Sequence, residues 1–339
     1  MQTRRLGNSD LNVSVLSFGT ATFGGAGVLG KWGNTDVAEA TRMIDVCLDA
    51  GVNLIDTADV YSDGLSESIL GEAMKGKRDR IILATKAAFR THDGPDGIGT
   101  GRKHLTEALE ASLKRLQTDV IDLYQLHAFD AFTPIEETME TLNDFVQQGK
   151  VRYVGCSNFS GWHLMKSLAI SDQNNWVKHV SHQAYYNLAG RDFEWELMPL
   201  GIAENIGTLV WSGLAMGKLT GKVRRGQPVP PESRAGQGSG TPVNLEQLQD
   251  VVDVLDQIAQ ERTVSISQVA LNWLLHRPTI SSVIVGARTE EQLIDNLKTA
   301  SWNLTTDEIA RLDTVSKVPL PYPYWHQQGT NKERNPLPV

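Results

Sequence analysis

The sequence predicts a (βα)8 barrel, and two observations carry that expectation. Eight short apolar runs recur along the 339 residues, with helix-patterned segments between them. Most of the runs are continuously apolar rather than alternating, as strands covered on both faces should be. Parallel barrels reach this length as one unit, so residues 1–339 are expected to form a single domain. A doubly wound open sheet has the same rhythm, but its glycine-rich dinucleotide fingerprint is missing after the first run.

In chain order, TRRLGNSDLNVSV reads as a hairpin turning at GNSD, a plug under the barrel. The strands then fall at VLSFG (15–19), NLIDTA (53–58), RIILATK (80–86) and VIDLYQLH (120–127). VRYVGCSN (151–158), HVSHQAYY (179–186), GTLVWSG (207–213) and SSVIVGA (281–287) complete the eight. The first intervening helix is predicted to run from an N-cap at Thr35 to a glycine stop at Gly51. TEALEASLKRL, IEETMETLNDFVQQG and TEEQLIDNLKTA repeat apolar residues at three- and four-residue spacing. Between the last two strands, the Gly-, Pro- and Ser-rich segment 221–242 reads as a mobile surface loop. LEQLQDVVDVLDQIAQER then reads as an extra helix and ISQVALNWLLHR as the regular one. The tail 318–339 is proline-rich and is expected to hold no regular helix. Its aromatics Tyr322, Tyr324 and Trp325 suggest packing, with the barrel mouth as a target, against the alternative of a disordered tail.

Composition excludes several classes. The net charge of −8 argues against a nucleic-acid partner, which usually needs a basic face. No apolar run approaches the ~20 residues of a membrane span. The N-terminus lacks a signal-peptide core, so a soluble cytoplasmic protein is expected. Cys47 and Cys156 are far apart, without metal-like spacing, and read as buried thiols rather than a disulfide. No metal is expected.

Three of the strand runs end in polar residues. Asp56, Lys86 and His127 stand at or just past the ends of the second, third and fourth, and Tyr61 follows Asp56 by five residues. Parallel barrel strands all point their C-terminal ends at one mouth, and neighbours lie less than about 5 Å apart. The three side chains can therefore meet, with Tyr61 folded over them. A phenol has an ordinary pKa of about 10 and is a poor acid at neutral pH. A nearby ammonium favours its phenolate, so Lys86 is expected to lower the Tyr61 pKa while Asp56 keeps Lys86 charged. A purely structural Asp–Lys pair with a hydrogen-bonded His and Tyr is the bland alternative; four such groups at one end of neighbouring strands favour a site.

These segments resemble the aldo-keto reductases, particularly the branch that includes potassium-channel β subunits and many bacterial oxidoreductases. The likeness runs from about Arg5 to Ser316. FGTATFGG is similar to the family's opening motif and NLIDTADVYSDGLSESILGEAM to its second, while ATK and DLYQLH supply the remaining members of the catalytic set Asp56, Tyr61, Lys86 and His127. The resemblance implies a nicotinamide cofactor lying extended across the mouth, near Gly19 and Thr20. It implies Ser157, Asn158 and Gln183 at the carboxamide and Trp211 stacked on the ring, with Ser212, Gly213, Leu214, Gly217 and Lys218 following. Many relatives carry Tyr and then Ser-Pro at this point, and Gly213 in place of the proline makes that turn freer. It also implies Gly286, Arg288, Gln292 and Asn296 at the adenosine phosphate. Arg288 precedes a helix start, where free N–H groups and a guanidinium favour phosphate. NADP(H) is therefore expected over NAD(H), with NAD(H) possible.

The implied reaction is hydride transfer between the cofactor and a small carbonyl or alcohol, with Tyr61 as general acid or base and His127 orienting the oxygen as a neutral donor. Trp32, Phe89 and Phe129, together with Trp325 of the tail, suggest an aromatic substrate pocket. Two alternatives remain open from sequence. One is a cofactor-binding regulatory or scaffold subunit with slow turnover. The other is a barrel aldolase with Lys86 as a Schiff base, which needs a depressed lysine pKa.

Overall fold

A computed structural model describes residues 1–27, 30–231, 233–236, 241–331 and 333–334. Strands β1 (Thr3–Arg5) and β2 (Asn12–Ser14) form an antiparallel hairpin. The next eight strands are β3 (Leu16–Gly19), β4 (Leu54–Asp56), β5 (Ile82–Ala87), β6 (Ile121–Leu126), β7 (Val151–Ser157), β8 (His179–Tyr185), β9 (Gly207–Trp211) and β10 (Ile280–Val285). They pair in chain order, all parallel, and β10 returns to β3 to close a barrel. Helices surround it, as the predicted (βα)8 architecture requires.

Alternation along the strands makes the interior change character from floor to mouth. Leu54, Ala84, Leu123 and Leu209 share an apolar cluster with Leu6, Leu11 and Val13 of the N-terminal segment. Two residues further along, on the same faces, stand Asp56, Lys86, Gln125 and Trp211. The barrel is thus apolar at its base and polar at its mouth. The hairpin closes the base, as its sequence predicts. Gly7 sits there at φ +53, where a Cβ would come within 2.2 Å of the Val180 carbonyl oxygen, so no larger residue fits.

Helix α1 (Val37–Asp49) is capped by Asp36, whose side chain accepts from the Glu39 N–H. The expected cap, Thr35, is instead buried, and its backbone bridges to Phe23. Helices α2 (Leu65–Ala73), α3 (Arg102–Leu116), α4 (Ile135–Gln147), α5 (Gly161–Asn174) and α6 (Leu197–Ala203) follow the next five strands. The extra helix α7 (Leu245–Arg262) and the regular α8 (Ile266–Leu275) separate β9 from β10, at nearly the predicted bounds. Helices α9 (Glu290–Leu297) and α10 (Thr306–Val315) complete the ring, the latter held by a Thr305–Glu308 capping box.

The expectation for the tail changes. The proline-rich tail contains a helix, α11 (Tyr324–Asn331). Its first prolines end at Pro323, ahead of the helix, where a missing N–H removes no intrahelical bond, and the next proline, Pro336, comes after it. Tyr322 and Trp325 are largely exposed, and neither lines the barrel mouth. In the segment read as a mobile loop, Glu232 and residues 237–240 lie outside the described residues, but Ser233 and Arg234 line the central cleft. Cys47 and Cys156 are buried free thiols.

Candidate active site

Strand register brings the polar residues to one level. Gly19 is paired with Asp56, Lys86 with Gln125, and Ser157 with Gln183. Lys86 Nζ lies 2.6 Å from Asp56 Oδ2, 2.6 Å from the Thr57 carbonyl oxygen and 3.2 Å from the Tyr61 hydroxyl. Asp56 is further held at Oδ1 by Gln125 Nε2 at 3.1 Å and Gln183 Nε2 at 2.8 Å. Each of the two carboxylate oxygens is therefore engaged. Tyr61 opens a short 3-10 turn (Tyr61–Gly64) that bends back over the mouth through the positive φ of Ser62 and Asp63. The His127 ring lies 5.8 Å from that of Tyr61 and 4.4 Å from that of Phe89. All four sequence-predicted groups meet.

Their electrostatics follow from burial and neighbours. Burial opposes the Lys86 charge, but Asp56 and Tyr61 outweigh it and hold the ammonium above its ordinary pKa. Burial and then the Lys86 charge push His127 well below its ordinary value, so the imidazole is neutral. Tyr61 departs from the sequence expectation. Lys86 does favour its phenolate, but burial is the larger effect and Asp56 adds to it, so the phenol is held above its ordinary value. Tyr61 is therefore kept in its protonated, phenolic form.

A cleft of about 930 Å³ runs across the mouth from Phe89, Tyr61 and His127 to Arg288 and Asn296. Ser157, Asn158, Gln183, Trp211, Ser212, Gly213, Leu214 and Gly217 line its middle, with Gly19. Trp211 donates its indole N–H to Asn158 Oδ1 at 3.1 Å, while Asn158 Nδ2 donates to the His127 carbonyl oxygen at 3.0 Å. A Cβ at Gly213 would stand 2.9 Å from Leu274 Cδ1, so a larger residue there would require that leucine side chain to shift. Gly286, Arg288, Gln292 and Asn296 form the far end, where the Arg288 N–H donates to Gln292 Oε1.

Some expected residues stand elsewhere. Thr20 lies behind the wall, its hydroxyl on the Asp56 carbonyl oxygen and Ser66. Lys218 is buried, with Nζ 3.4 Å from the Thr241 carbonyl oxygen, and Lys222 takes a place on the cleft instead. Phe129 does not line the cleft; it stacks on His163 at 3.5 Å. Trp32 does line it, but its contacts are with cations: Arg288 Nε donates to its carbonyl oxygen, and the Arg234 guanidinium lies 5.0 Å from its ring.

Sequence reasoning missed Gln125, Arg234, Lys222 and the buried Asp59. Gln125 had a signal, lying two residues before His127 and hence on the same face of its strand. Arg234 had none, being one basic residue in a proline- and glycine-rich stretch.

A closed parallel barrel thus carries a buried Lys–Asp pair, a tyrosine and a neutral histidine along one long cleft. A model of the aldo/keto reductase family matches residues 15–317. A probable voltage-gated potassium channel subunit beta from Oryza sativa subsp. japonica is 38% identical over 307 residues, covering 88% of this chain and 90% of its own length. The uncharacterized oxidoreductase YrpG of Bacillus subtilis is 35% identical over 331 residues, covering 94% of this chain and 97% of its own. Aldo-keto reductase YhdN of the same species is 33% identical over 319 residues, with 93% of each chain covered. The chain belongs to the aldo/keto reductase family. It is accordingly an oxidoreductase for small carbonyl compounds with a nicotinamide cofactor.

The residues present suit that cofactor. The cleft is long and joins the Tyr61 end to a cationic end. Asn158 and Gln183 supply amide groups beside Trp211, an aromatic surface in the cleft. Arg234 and Arg288 lie close enough that, after burial, Arg288 is the next cause lowering the Arg234 pKa to about 10. Two crowded guanidiniums are suited to a phosphate.

Proposed function

We propose that the protein interconverts aldehydes or ketones and alcohols, using NADP(H) in preference to NAD(H), with Tyr61 as general acid and base. One observation carries the reading: Lys86 Nζ bridges Asp56 and the Tyr61 hydroxyl at the wall of the cleft, beside a neutral His127. The cofactor, when bound, supplies or accepts the hydride. In reduction, Tyr61 gives its proton to the carbonyl oxygen as negative charge develops there. The Lys86 ammonium, kept charged by Asp56, stabilises the phenolate left behind. The neutral His127 directs an N–H at the same oxygen and adds to the stabilisation. In oxidation, the Tyr61 phenolate accepts the alcohol proton.

Asn158 and Gln183 orient the carboxamide, and Trp211 covers the ring. Arg288 and Arg234 hold the adenosine 2′-phosphate. Trp32 and Phe89 border the substrate. The raised Lys86 pKa argues against a Schiff-base aldolase, which needs a neutral amine. Buried thiols fit a reducing cytoplasm, and among the described residues no helix is long and apolar enough to cross a membrane.

The test is a screen of aldehydes, ketones and alcohols with each cofactor, read as the rate of nicotinamide absorbance change. Turnover above about 1 per second with any small carbonyl fits the enzyme reading. Tight NADPH binding with no turnover on any carbonyl or alcohol would shift the reading to a regulatory, cofactor-sensing subunit.

A further inference from the structure

Asp59 lies between Asp56 and Tyr61 in sequence, and the mechanism does not use it. Its backbone N–H donates to the Lys86 carbonyl oxygen at 3.0 Å, tying this loop to β5. Its side chain is 3% exposed, and neither carboxyl oxygen has a hydrogen-bond partner of good geometry among the described residues; the adjacent Val60 N–H favours the charged form, but less than burial and Glu67 oppose it. The groups that face it are charged or phenolic. Glu67 comes from α2, Arg115 from α3, Lys86 from β5 and Tyr124 from β6, with Tyr61 in its own loop and Asp56 behind Lys86.

Four of these close into two ion pairs. Lys86 is matched to Asp56 at 2.6 Å. Arg115 is matched to Glu67 at 2.7 Å, and Thr85 also donates to Glu67. The pairs balance each other and leave Asp59 without a counter-ion. Ionising it would place a net negative charge in a nearly dry site, with only the poorly aligned Val60 N–H to stabilise it. The un-ionised acid avoids that cost.

We infer that Asp59 is a buried neutral carboxylic acid and a positioning residue whose own ionisation adjusts the acidity of Tyr61, which burial, Lys86 and Asp56 mainly fix. Its catalytic meaning rests on the reading of Tyr61 as proton donor. Burial, then Glu67, push the Asp59 carboxyl up to about 8. Below that pH the neutral acid leaves Tyr61 governed by burial, Lys86 and Asp56. Above it, the Asp59 proton leaves to solvent, and the new charge makes the Tyr61 phenol harder to ionise. The phenol then persists to higher pH, which favours reduction and holds back the phenolate that oxidation needs.

The test reads both groups without relying on turnover. Infrared difference spectra of the wild type should show the carbonyl stretch of a protonated carboxyl at neutral pH. The band should fade as pH rises through about 8 and be absent from Asp59→Asn, whose amide mimics the neutral acid in shape and charge. Ultraviolet titration of the phenolate, with Tyr61→Phe as the blank, should place Tyr61 about one unit lower in Asp59→Asn than in wild type. Absence of the acid band at neutral pH, or equal Tyr61 titration in the two proteins, overturns the inference. If Asp59→Asn fails to fold, the pH dependence of the band in wild type carrying isotope-labelled aspartate decides it. A wild type that reduces no carbonyl leaves both readouts intact, so loss of the functional reading is distinguishable.

Discussion

Lys86 Nζ and Asp56 Oδ2 lie 2.6 Å apart, and both side chains are almost wholly withdrawn from solvent. Such a pair is expensive to bury and weak as a source of stability. Its third partner, the Tyr61 hydroxyl at 3.2 Å, gives it a chemical purpose: a fixed positive charge beside a phenol. Removing the phenol should then cost chemistry but not binding. Tyr61→Phe is expected to lose about 10²–10⁴ in turnover, the usual worth of a general acid. Cofactor affinity should stay nearly constant, because the substitution removes one hydroxyl and leaves the rest of the cleft lining, Arg288 included, in place. Steady-state rates and a fluorescence titration measure the two quantities, and a variant with half the wild-type turnover would take Tyr61 out of the acid role.

Lys86→Met should fail differently. Burial already holds the Tyr61 pKa high, and the Lys86 charge is what opposes it. Without that charge the pKa rises further. Residual alcohol oxidation, which needs the phenolate, should move to more alkaline pH. The Asp56 carboxylate would also be left buried with only Gln125 and Gln183 as donors, at a cost of about 3–5 kcal/mol in stability. A pH–rate profile and a denaturant melt test both parts; an unmoved profile would separate Lys86 from Tyr61.

The barrel and the meeting of Asp56, Tyr61, Lys86 and His127 at its mouth were legible because both follow from strand periodicity. Runs such as RIILATK and VIDLYQLH announce buried strands, and counting by twos puts Lys86 and His127 on inward faces. What was not legible depends on long-range packing. The net Tyr61 shift reflects how deeply a folded-back turn buries the ring, which no spacing encodes. Trp32 and Phe129 were both read as pocket walls from their loops alone, but loop course decides the outcome: Trp32 does line the cleft, beside a guanidinium, while Phe129 stacks on His163. The tail was misread because proline content was averaged over the segment. The prolines up to Pro323 end before the helix, and the proline-free stretch Tyr324–Asn331 is free to coil.

Acid should destabilise the fold in the window set by two buried histidines. Burial lowers His179 to about 3 and His182 to about 4, from ordinary values of 6.5. His182 Nε2 accepts the Phe159 N–H at 3.2 Å, a bond that protonation of that nitrogen would break. The unfolded chain binds protons below about 6.5 while the folded chain does not, so stability falls as pH drops and is recovered as pH rises through that value. Each such histidine contributes roughly 1.4 kcal/mol per pH unit well inside the window. Denaturant midpoints at pH 7 and pH 5 should differ accordingly. His179→Phe should flatten the dependence, and an unchanged slope would mean that the ring is solvated or paired in the native state.

Cofactor choice should be decided by Arg288 and Arg234 together. NADP(H) and NAD(H) differ only by the 2′-phosphate, and these guanidiniums stand at the cationic end of the cleft. Hydrogen bonds to a charged group are worth about 1.5–3 kcal/mol. Arg288→Ala should therefore weaken NADPH roughly tenfold to a hundredfold and leave NADH almost unchanged. Arg234→Ala should act in the same direction, and the two losses should not add, because burial and Arg288 together lower the Arg234 pKa and the cations share a site. Titrating wild type, both single variants and the double variant with each cofactor completes the cycle. Equal weakening of NADPH and NADH by Arg288→Ala would mean that Arg288 stacks on the adenine, and the preference would then have to come from Arg234 or from the helix start at Glu290.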